Sequence, residues 1–184
     1  GKQDVYNDFD APNPLSIYAK AKYHGEVFVQ QFHRKHFVFR AGWMMGGGPE
    51  KDKKFINKLF KQIQDGKKEL FVVDDKLGTP TYTLSFARGI FKVVESDLYG
   101  LYNQVCGGDS SRYDVAKEFV RLLGLDNDVK VTKVDSDHFK TEYFAPRPPS
   151  EKLVNFKLNA RGINFMPDWH EALADYVERF KPLV

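Results

Sequence analysis

Apolar residues fall at helical and strand spacings in alternation along this chain. Pro12, Asn13, Pro14 and Ser16 form a helix-start signal, and apolar residues then recur through Ile17, Ala21, Phe28, Val29 and Phe32. "KHFVFR", Lys35 to Arg40, reads as a short strand running into the loop "AGWMMGGGP". Lys51 to Gln64 reads as a second amphipathic helix, with Phe55, Ile56, Leu59, Phe60 and Ile63 on one side and lysines on the other. "ELFVV" is a strand, "DDKLGTPTY" a loop, Leu84 to Val94 a helix and "LYGLYNQV" a strand. Ser111 to Leu123 is a helix opened by Ser110 or Ser111 as cap. "VKVTKV" is a further strand, "FAPRPPS" a rigid connector, and the last helix runs from about Asp168 to Phe180.

Strands alternating with helices of this length predict an α/β protein with substantial parallel pairing. Such sheets place ligands at the loops beyond the strand C-termini, which here are "AGWMMGGGP" and "DDKLGTPTY". No internal repeat or low-complexity tract interrupts the pattern. The opening "GKQDVYNDFDAPNP" is polar and rich in turn formers, and is expected to be a loop continuing from something upstream.

Composition narrows the class. The 184 residues are 42% hydrophobic and 29% charged, enough apolar material for one core or two small lobes. Formal net charge is +3 with the two signs interleaved, so no nucleic-acid footprint is indicated. The lone cysteine, Cys106, excludes an internal disulfide framework and agrees with a reducing compartment. No apolar run has the length of a membrane span, and the start is not a signal peptide. The expectation is a cytoplasmic globular protein without a membrane partner.

Two pairs share one spacing: Tyr18-x-x-x-Lys22 and Tyr113-x-x-x-Lys117. On a helix, positions four apart share a face, so a phenol and an ammonium can converge on one bound molecule. A free phenol, with a pKa near ~10, is a poor acid at neutral pH. A fixed ammonium favours the phenolate and makes proton exchange with a carbonyl or alcohol oxygen practical. The plainer reading of either pair is a half-buried tyrosine beside a solvated lysine, and spacing alone does not choose.

Other residues carry paired readings too. Trp43, at a strand-end loop, either stacks on a sugar ring or fills a core. Arg147, between prolines, either clamps a diphosphate bidentately or is a surface arginine in a stiff linker. Arg40, closing a strand, reads as a structural ion-pair partner. His33 and His36 sit in a basic turn without the carboxylate or cysteine grouping of a metal site. Thr81 and Tyr82 read as turn architecture, and Cys106 as a small core residue.

The flanks of the first pair carry a resemblance. "NPLSIYAKAKYHGE" is similar to the Asn-Pro-Leu-x-x-Tyr-x-x-x-Lys segment, followed by Gly-Glu, of the extended short-chain dehydrogenase/reductases, and within them of the dTDP-4-dehydrorhamnose reductases. "FRAGWMMGGG" resembles that family's strand-end Arg-x-x-Trp loop, and "KELFVVDDKLGTPTYTLSFA" its strand and Gly-x-Pro-Thr-Tyr turn. "GLYNQVCGGDSSRYDVAKEF" is similar to its Gly-x-Tyr strand and Ser-x-Tyr helix, which makes Tyr113 and Lys117 scaffold. "PRPPSEKLVNFKL" and "PDWHEAL" complete the series in order, so the resemblance covers nearly the whole chain.

The resemblance implies a Rossmann-type fold with a substrate lobe. Residues 1–45 would be the remaining part of the dinucleotide-binding domain with the catalytic helix. Residues 46–184 would be mainly the substrate lobe, with a strand and helix at about 68–95 returning to the sheet. Tyr18 would donate the proton, Lys22 would support it and hold the nicotinamide ribose, and Ala41 would touch the cofactor, NADPH or NADH. Trp43 and Arg147 would bind a nucleotide sugar, and a homodimer is expected. The reaction implied is reduction of a 4-keto-deoxysugar nucleotide that feeds a cell-surface polysaccharide. Alternatives are an epimerase or dehydratase with the same Tyr/Lys pair, a non-enzymatic subunit resembling the beta subunit of methionine adenosyltransferase, or a plain α/β nucleotide-binding lobe.

The sequence departs from the family in several places. Gly42 stands where the family carries Ser or Thr, Gly46-Gly47-Gly48 loosens the following loop, and Glu151 replaces a common serine. The fingerprint Gly-x-x-Gly-x-x-Gly and the catalytic Ser/Thr on an earlier strand are absent from these residues. About one domain, on the order of 100 residues, is therefore expected upstream. Weak or no dinucleotide binding and no turnover are expected of the chain by itself. The apolar face of the first helix is expected to need cover from another chain.

Overall fold

The structure, a computed structural model, describes residues 4–139, 141 and 148–184. In chain order it runs α1 (Ile17–Phe32), β1 (Phe37–Arg40), β2 (Trp43–Met45), α2 (Gly48–Lys51), α3 (Phe55–Gln64) and β3 (Glu69–Val73). Then follow β4 (Leu77–Gly78), β5 (Pro80–Tyr82), α4 (Thr83–Val94), β6 (Gly100–Asn103), β7 (Ser110–Ser111), α5 (Arg112–Leu122) and β8 (Lys130–Val134). β9 (Ser150–Glu151), α6 (Phe156–Ala160) and α7 (Trp169–Val177) complete the order, with 3₁₀ turns at Ser136–Phe139 and Lys181–Leu183.

Pairing is mainly parallel, as the alternation of strands and helices predicts. β1 pairs with β6, β2 with β5 and β3 with β8, all parallel. β4 lies between β7, antiparallel, and β9, parallel. Registers such as Phe37 with Gly100 and Glu69 with Lys130 join strands separated by whole helices, the signature of crossover connections.

The main core is the meeting of three helical stripes with β2, β3 and β5. α3 contributes Ile56, Leu59 and Phe60, and α5 contributes Val115, Ala116, Phe119 and Val120. α7 contributes Trp169, Ala172, Leu173, Tyr176 and Val177, spaced at three and four residues so that all point inward, with Phe180 just beyond. Each large apolar side chain so buried is worth about 2 kcal/mol. A second, smaller cluster of Val93, Tyr102 and Leu158 packs with Phe37 and Phe39 beneath the β1–β6 pair.

α1 stands outside both clusters. Ser16 caps it, accepting from the Ala19 N–H at 3.1 Å. Yet no residue of α1 is buried, and Ile17, Phe28 and Phe32 keep 88%, 58% and 66% of their surface exposed. The apolar spacing predicts the helix correctly, while its partner face is uncovered in this chain.

Several elements differ from the sequence expectations for local reasons. The helix expected over Lys51 to Gln64 begins only at Phe55, because the Asp52 carboxylate accepts from Lys54 N–H at 2.7 Å and turns the chain between α3 and α2, which ends at Lys51. The expected loops "AGWMMGGGP" and "DDKLGTPTY" contain β2, β4 and β5, which hold two or three residues each. Only Gly100–Asn103 of "LYGLYNQV" is strand. Ser111, not Ser110, caps α5, in a reciprocal capping box with Asp114.

The opening segment is sewn into place. Tyr6 bridges Leu153, and the buried Asp8 carboxylate accepts from the N–H groups of Asn103 at 2.6 Å and Lys157 at 3.0 Å. Lys152, itself buried, pairs with Asp4 at 2.6 Å and Asp109 at 3.1 Å.

Candidate functional site

Parallel strands β1 and β6 end at the loop of Ala41 and Gly42, where α/β sheets place their ligands, and the paired strands β2 and β5 begin just beyond it. The ladder closes firmly there. Gln104 N–H donates to the Arg40 carbonyl at 2.9 Å, and Trp43 N–H to the Thr79 carbonyl at 2.9 Å. Ala41 is exposed between these two anchors.

Tyr18 and Lys22 stand one turn apart on the exposed α1, and Tyr18 keeps 73% of its surface. One further turn along, Glu26 reaches across to the end of β1. Arg40 donates to it twice, from Nε at 2.9 Å and from Nη2 at 2.6 Å, in a half-buried fork. Arg40 is thus an ion-pair partner, as its strand-end position suggests. The fork is what ties the Tyr18/Lys22 helix to the strand end.

Trp43 is held on three sides. Its indole N–H donates to the Glu151 carboxylate at 3.0 Å. The Arg112 guanidinium stands over the ring, 4.3 Å from its centroid, and also over Phe55 at 4.9 Å. Gly78 packs so closely that a Cβ there would lie 2.2 Å from the indole Cε2. In this arrangement a guanidinium, not open space, covers one ring face.

The cavity beside it, lined by Trp43, Met45, Lys54, Phe55, Pro80 and Arg112 among others, measures about 30 Å³. That is room for a water molecule, not for a sugar. Sequence reasoning missed both Arg112 and Glu151 as partners of the tryptophan. Neither has local spacing to betray it, since one comes from the start of α5 and the other from β9.

The remaining candidates resolve individually. Arg147 lies outside the described residues. Thr81 and Tyr82 are buried in β5, Thr81 Oγ1 donating to the Thr79 carbonyl and Tyr82 packing on Tyr176, which makes them architecture. Cys106 is buried, and burial pushes its thiol up to about 11, so it is no nucleophile at neutral pH. His36 Nδ1 lies 2.5 Å from the His33 carbonyl oxygen. Among the described residues no cluster of His, Cys, Asp and Glu has the grouping of a metal site. Nor, among them, is any helix long and apolar enough to cross a membrane.

Residues 1–181 match the family described as RmlD substrate binding domain. The spore coat polysaccharide biosynthesis protein SpsK of Bacillus subtilis is 29% identical over 173 residues, covering 94% of this chain and 58% of that protein. The crystal structure of a dTDP-4-dehydrorhamnose reductase from Yersinia enterocolitica superposes with a TM-score of 0.87 at 32% identity, covering 97% of this chain and 61% of that one. A dTDP-4-dehydrorhamnose reductase of Bacillus anthracis, solved in complex with NADP, gives a TM-score of 0.84 at 30% identity, covering 94% and 58%. The chain thus spans about three-fifths of the length of these relatives.

Proposed function

Since this chain belongs to the family of the RmlD substrate binding domain, we propose that it carries the proton-donating helix and the sugar-nucleotide lobe for reduction of a 4-keto-deoxysugar nucleotide by NADPH or NADH. The observation that carries the reading is the presentation of Tyr18 and Lys22 together on an exposed face of α1, forked by Glu26 and Arg40 to the strand end beside Trp43. The similarity to reductases of this type, one solved with NADP, supports the cofactor class.

The residues present fit one end of a nicotinamide cofactor and not the other. Tyr18, Lys22 and Ala41 are exposed and offer a hydroxyl, an ammonium and strand-end backbone to the nicotinamide ribose. Among the described residues no glycine-rich turn opens a helix suited to the diphosphate. Gly46 to Gly48 lead into the four-residue α2, and Thr83 fills the space at Gly46, its Oγ1 1.8 Å from where a Cβ would be.

When bound, the cofactor supplies a hydride to the keto carbon. As the C=O pair moves onto oxygen, the Tyr18 hydroxyl gives that oxygen its proton. Lys22 stabilises the negative charge left on the phenol oxygen. The fork between Glu26 and Arg40 holds these two groups in line with the Trp43 loop, and alignment of this kind carries much of the rate.

The same reading takes residues 1–45 as part of the dinucleotide-binding region and 46–184 mainly as the substrate lobe, and puts the protein in the cytoplasm as a homodimer. The exposed Ile17, Phe28 and Phe32 of α1 are the surface a second copy would cover. The reduced sugar nucleotide would feed a cell-surface polysaccharide.

The test is a calorimetric titration of NADPH into the chain, followed by NADPH oxidation with a 4-keto-deoxysugar nucleotide for wild type and Tyr18→Phe. Weak or absent NADPH heat, with turnover that depends on Tyr18 wherever turnover occurs, agrees with the reading. Measurable turnover that is equal in wild type and Tyr18→Phe sinks it.

A further inference from the structure

Tyr18, Lys22 and Glu26 lie four residues apart on α1, so each is only about 40° round the helix from the last. They form one stripe with two states of exposure. Tyr18 and Lys22 are exposed, whereas the Glu26 side chain keeps 12% of its surface and the Arg40 side chain 23%. Both Glu26 oxygens are used, one by Arg40 Nε at 2.9 Å and the other by Nη2 at 2.6 Å. Two parallel bonds between planar groups fix an angle as well as a distance, which a single lysine contact cannot do.

The far end of the fork does not move freely. Arg40 is the last residue of β1, in register with Asn103, and its carbonyl receives the Gln104 N–H. Three residues later the chain reaches Trp43, whose backbone is tied to Thr79. The near end, by contrast, belongs to a helix with no buried residue, which apolar packing alone fixes poorly.

We infer that Glu26 is a positioning residue for the reaction: through Arg40 it sets the roll of α1, so that the Tyr18 hydroxyl and the Lys22 ammonium face the ground beyond β1 where the Ala41–Trp43 loop begins. The inference rests on the assignment of Tyr18 and Lys22 under the proposed function. It adds that their placement depends on a charge fork one turn further along the same stripe. A pair that served stability alone would tolerate loss of the fork's angle as long as charge attraction survived.

The experiment compares wild type, Glu26→Gln and Arg40→Lys, the second keeping the charge and losing the fork. Spin labels at Lys20→Cys on α1 and Asp126→Cys beyond α5 report the spread of distances between helix and body; the buried Cys106 stays unlabelled. Turnover of NADPH and the keto-sugar nucleotide is measured alongside, with Tyr18→Phe as control. Both variants should broaden the distance distribution at temperatures well below melting. Where wild type turns over, both should lose roughly tenfold to a hundredfold in kcat with KM little changed. Distances as narrow as wild type in both variants would overturn the inference. So would unchanged kcat in both while Tyr18→Phe is dead. If wild type turns over and Tyr18→Phe matches it, the reading of the reaction falls, and with it the positioning role, while the distances still report whether the fork holds α1.

Discussion

The indole N–H of Trp43 donates to the carboxylate of Glu151, 108 positions further along the chain, at 3.0 Å. This bond, together with the Arg112 guanidinium over the ring, fixes the direction in which the tryptophan presents itself. Glu151→Ala removes the acceptor, and the net cost to stability is about 1 kcal/mol, because the N–H sits at a partly exposed place where water can replace the carboxylate. The more specific effect is on Trp43 itself. Its fluorescence should shift and its mobility rise, and affinity for a sugar nucleotide should fall without loss of fold. An emission spectrum and a polarisation value identical to wild type would show that Glu151 does not hold the ring.

Gly42 departs from the Ser or Thr that the family resemblance leads one to expect, and the space around it admits neither. A Cβ at this position would lie 2.2 Å from the Thr79 carbonyl oxygen, the same atom that accepts the Trp43 N–H. The β2–β5 pair has closed up onto the glycine. Gly42→Ser should therefore push β2 from β5 and cost about 1–3 kcal/mol, as overpacking does. Gly78→Ala should cost a similar amount by driving the indole out of place. Chemical denaturation curves decide this, and a Gly42→Ser protein as stable as wild type would mean that the strands can separate freely.

How much of this was legible beforehand depends on the range of the interaction. The stripes Ile56–Leu59–Phe60 and Trp169–Leu173–Tyr176–Val177 announce themselves because helical spacing is a local signal, and so do the strands "ELFVV" and "VKVTKV". Two-residue strands such as Leu77–Gly78 and Ser150–Glu151 have no period to detect and exist only because a distant partner meets them. The break at Asp52 was hidden because a side-chain cap inside an otherwise helical pattern looks like one more polar residue. At the candidate site, Tyr18 and Lys22 stand out in the sequence by their flanking residues. Glu26 lies in the same segment, but nothing in its spacing points to Arg40. Arg112 and Glu151 converge on Trp43 only through the fold.

Tyr176 donates its hydroxyl to Asp52 at 2.7 Å inside the core, joining α7 to the turn between α2 and α3. Burial raises the phenol's pKa far above its ordinary value of 10, and the Asp52 carboxylate adds to this. A phenol raised in the fold remains protonated there while the unfolded chain releases its proton. The stability it contributes is therefore complete below about pH 10 and is lost progressively as pH rises above that. Tyr176→Phe should cost about 1–2 kcal/mol near neutrality, leaving Asp52 short of one donor. It should also flatten the alkaline fall in melting temperature. An alkaline slope that is the same in wild type and variant would show that other groups govern that limb.

Asp74 gives the acid counterpart. It accepts from Lys133 at 2.8 Å and from the Ser111 hydroxyl at 2.6 Å, and these bonds, the lysine's first, hold its carboxyl below the ordinary 3.8. A depressed carboxylate favours the fold above its unfolded pKa, and that contribution disappears as pH falls through the lower folded value. Ser111 has a second duty, because its Oγ accepts the Asp114 N–H at 3.1 Å as the cap of α5. Ser111→Ala should thus remove a cap worth about 1 kcal/mol at neutral pH. It should also raise the Asp74 pKa toward 3.8, so that folded and unfolded states differ less in proton uptake and the fall of stability on acidification is shallower than in wild type. Lys133→Met should produce the acid effect without the cap, and at high salt much of its effect should vanish, since the pair is largely exposed. Acid titrations of melting temperature for the two variants separate these roles. A Ser111→Ala protein that differs from wild type by a constant amount at every pH would show that the hydroxyl acts on the helix alone.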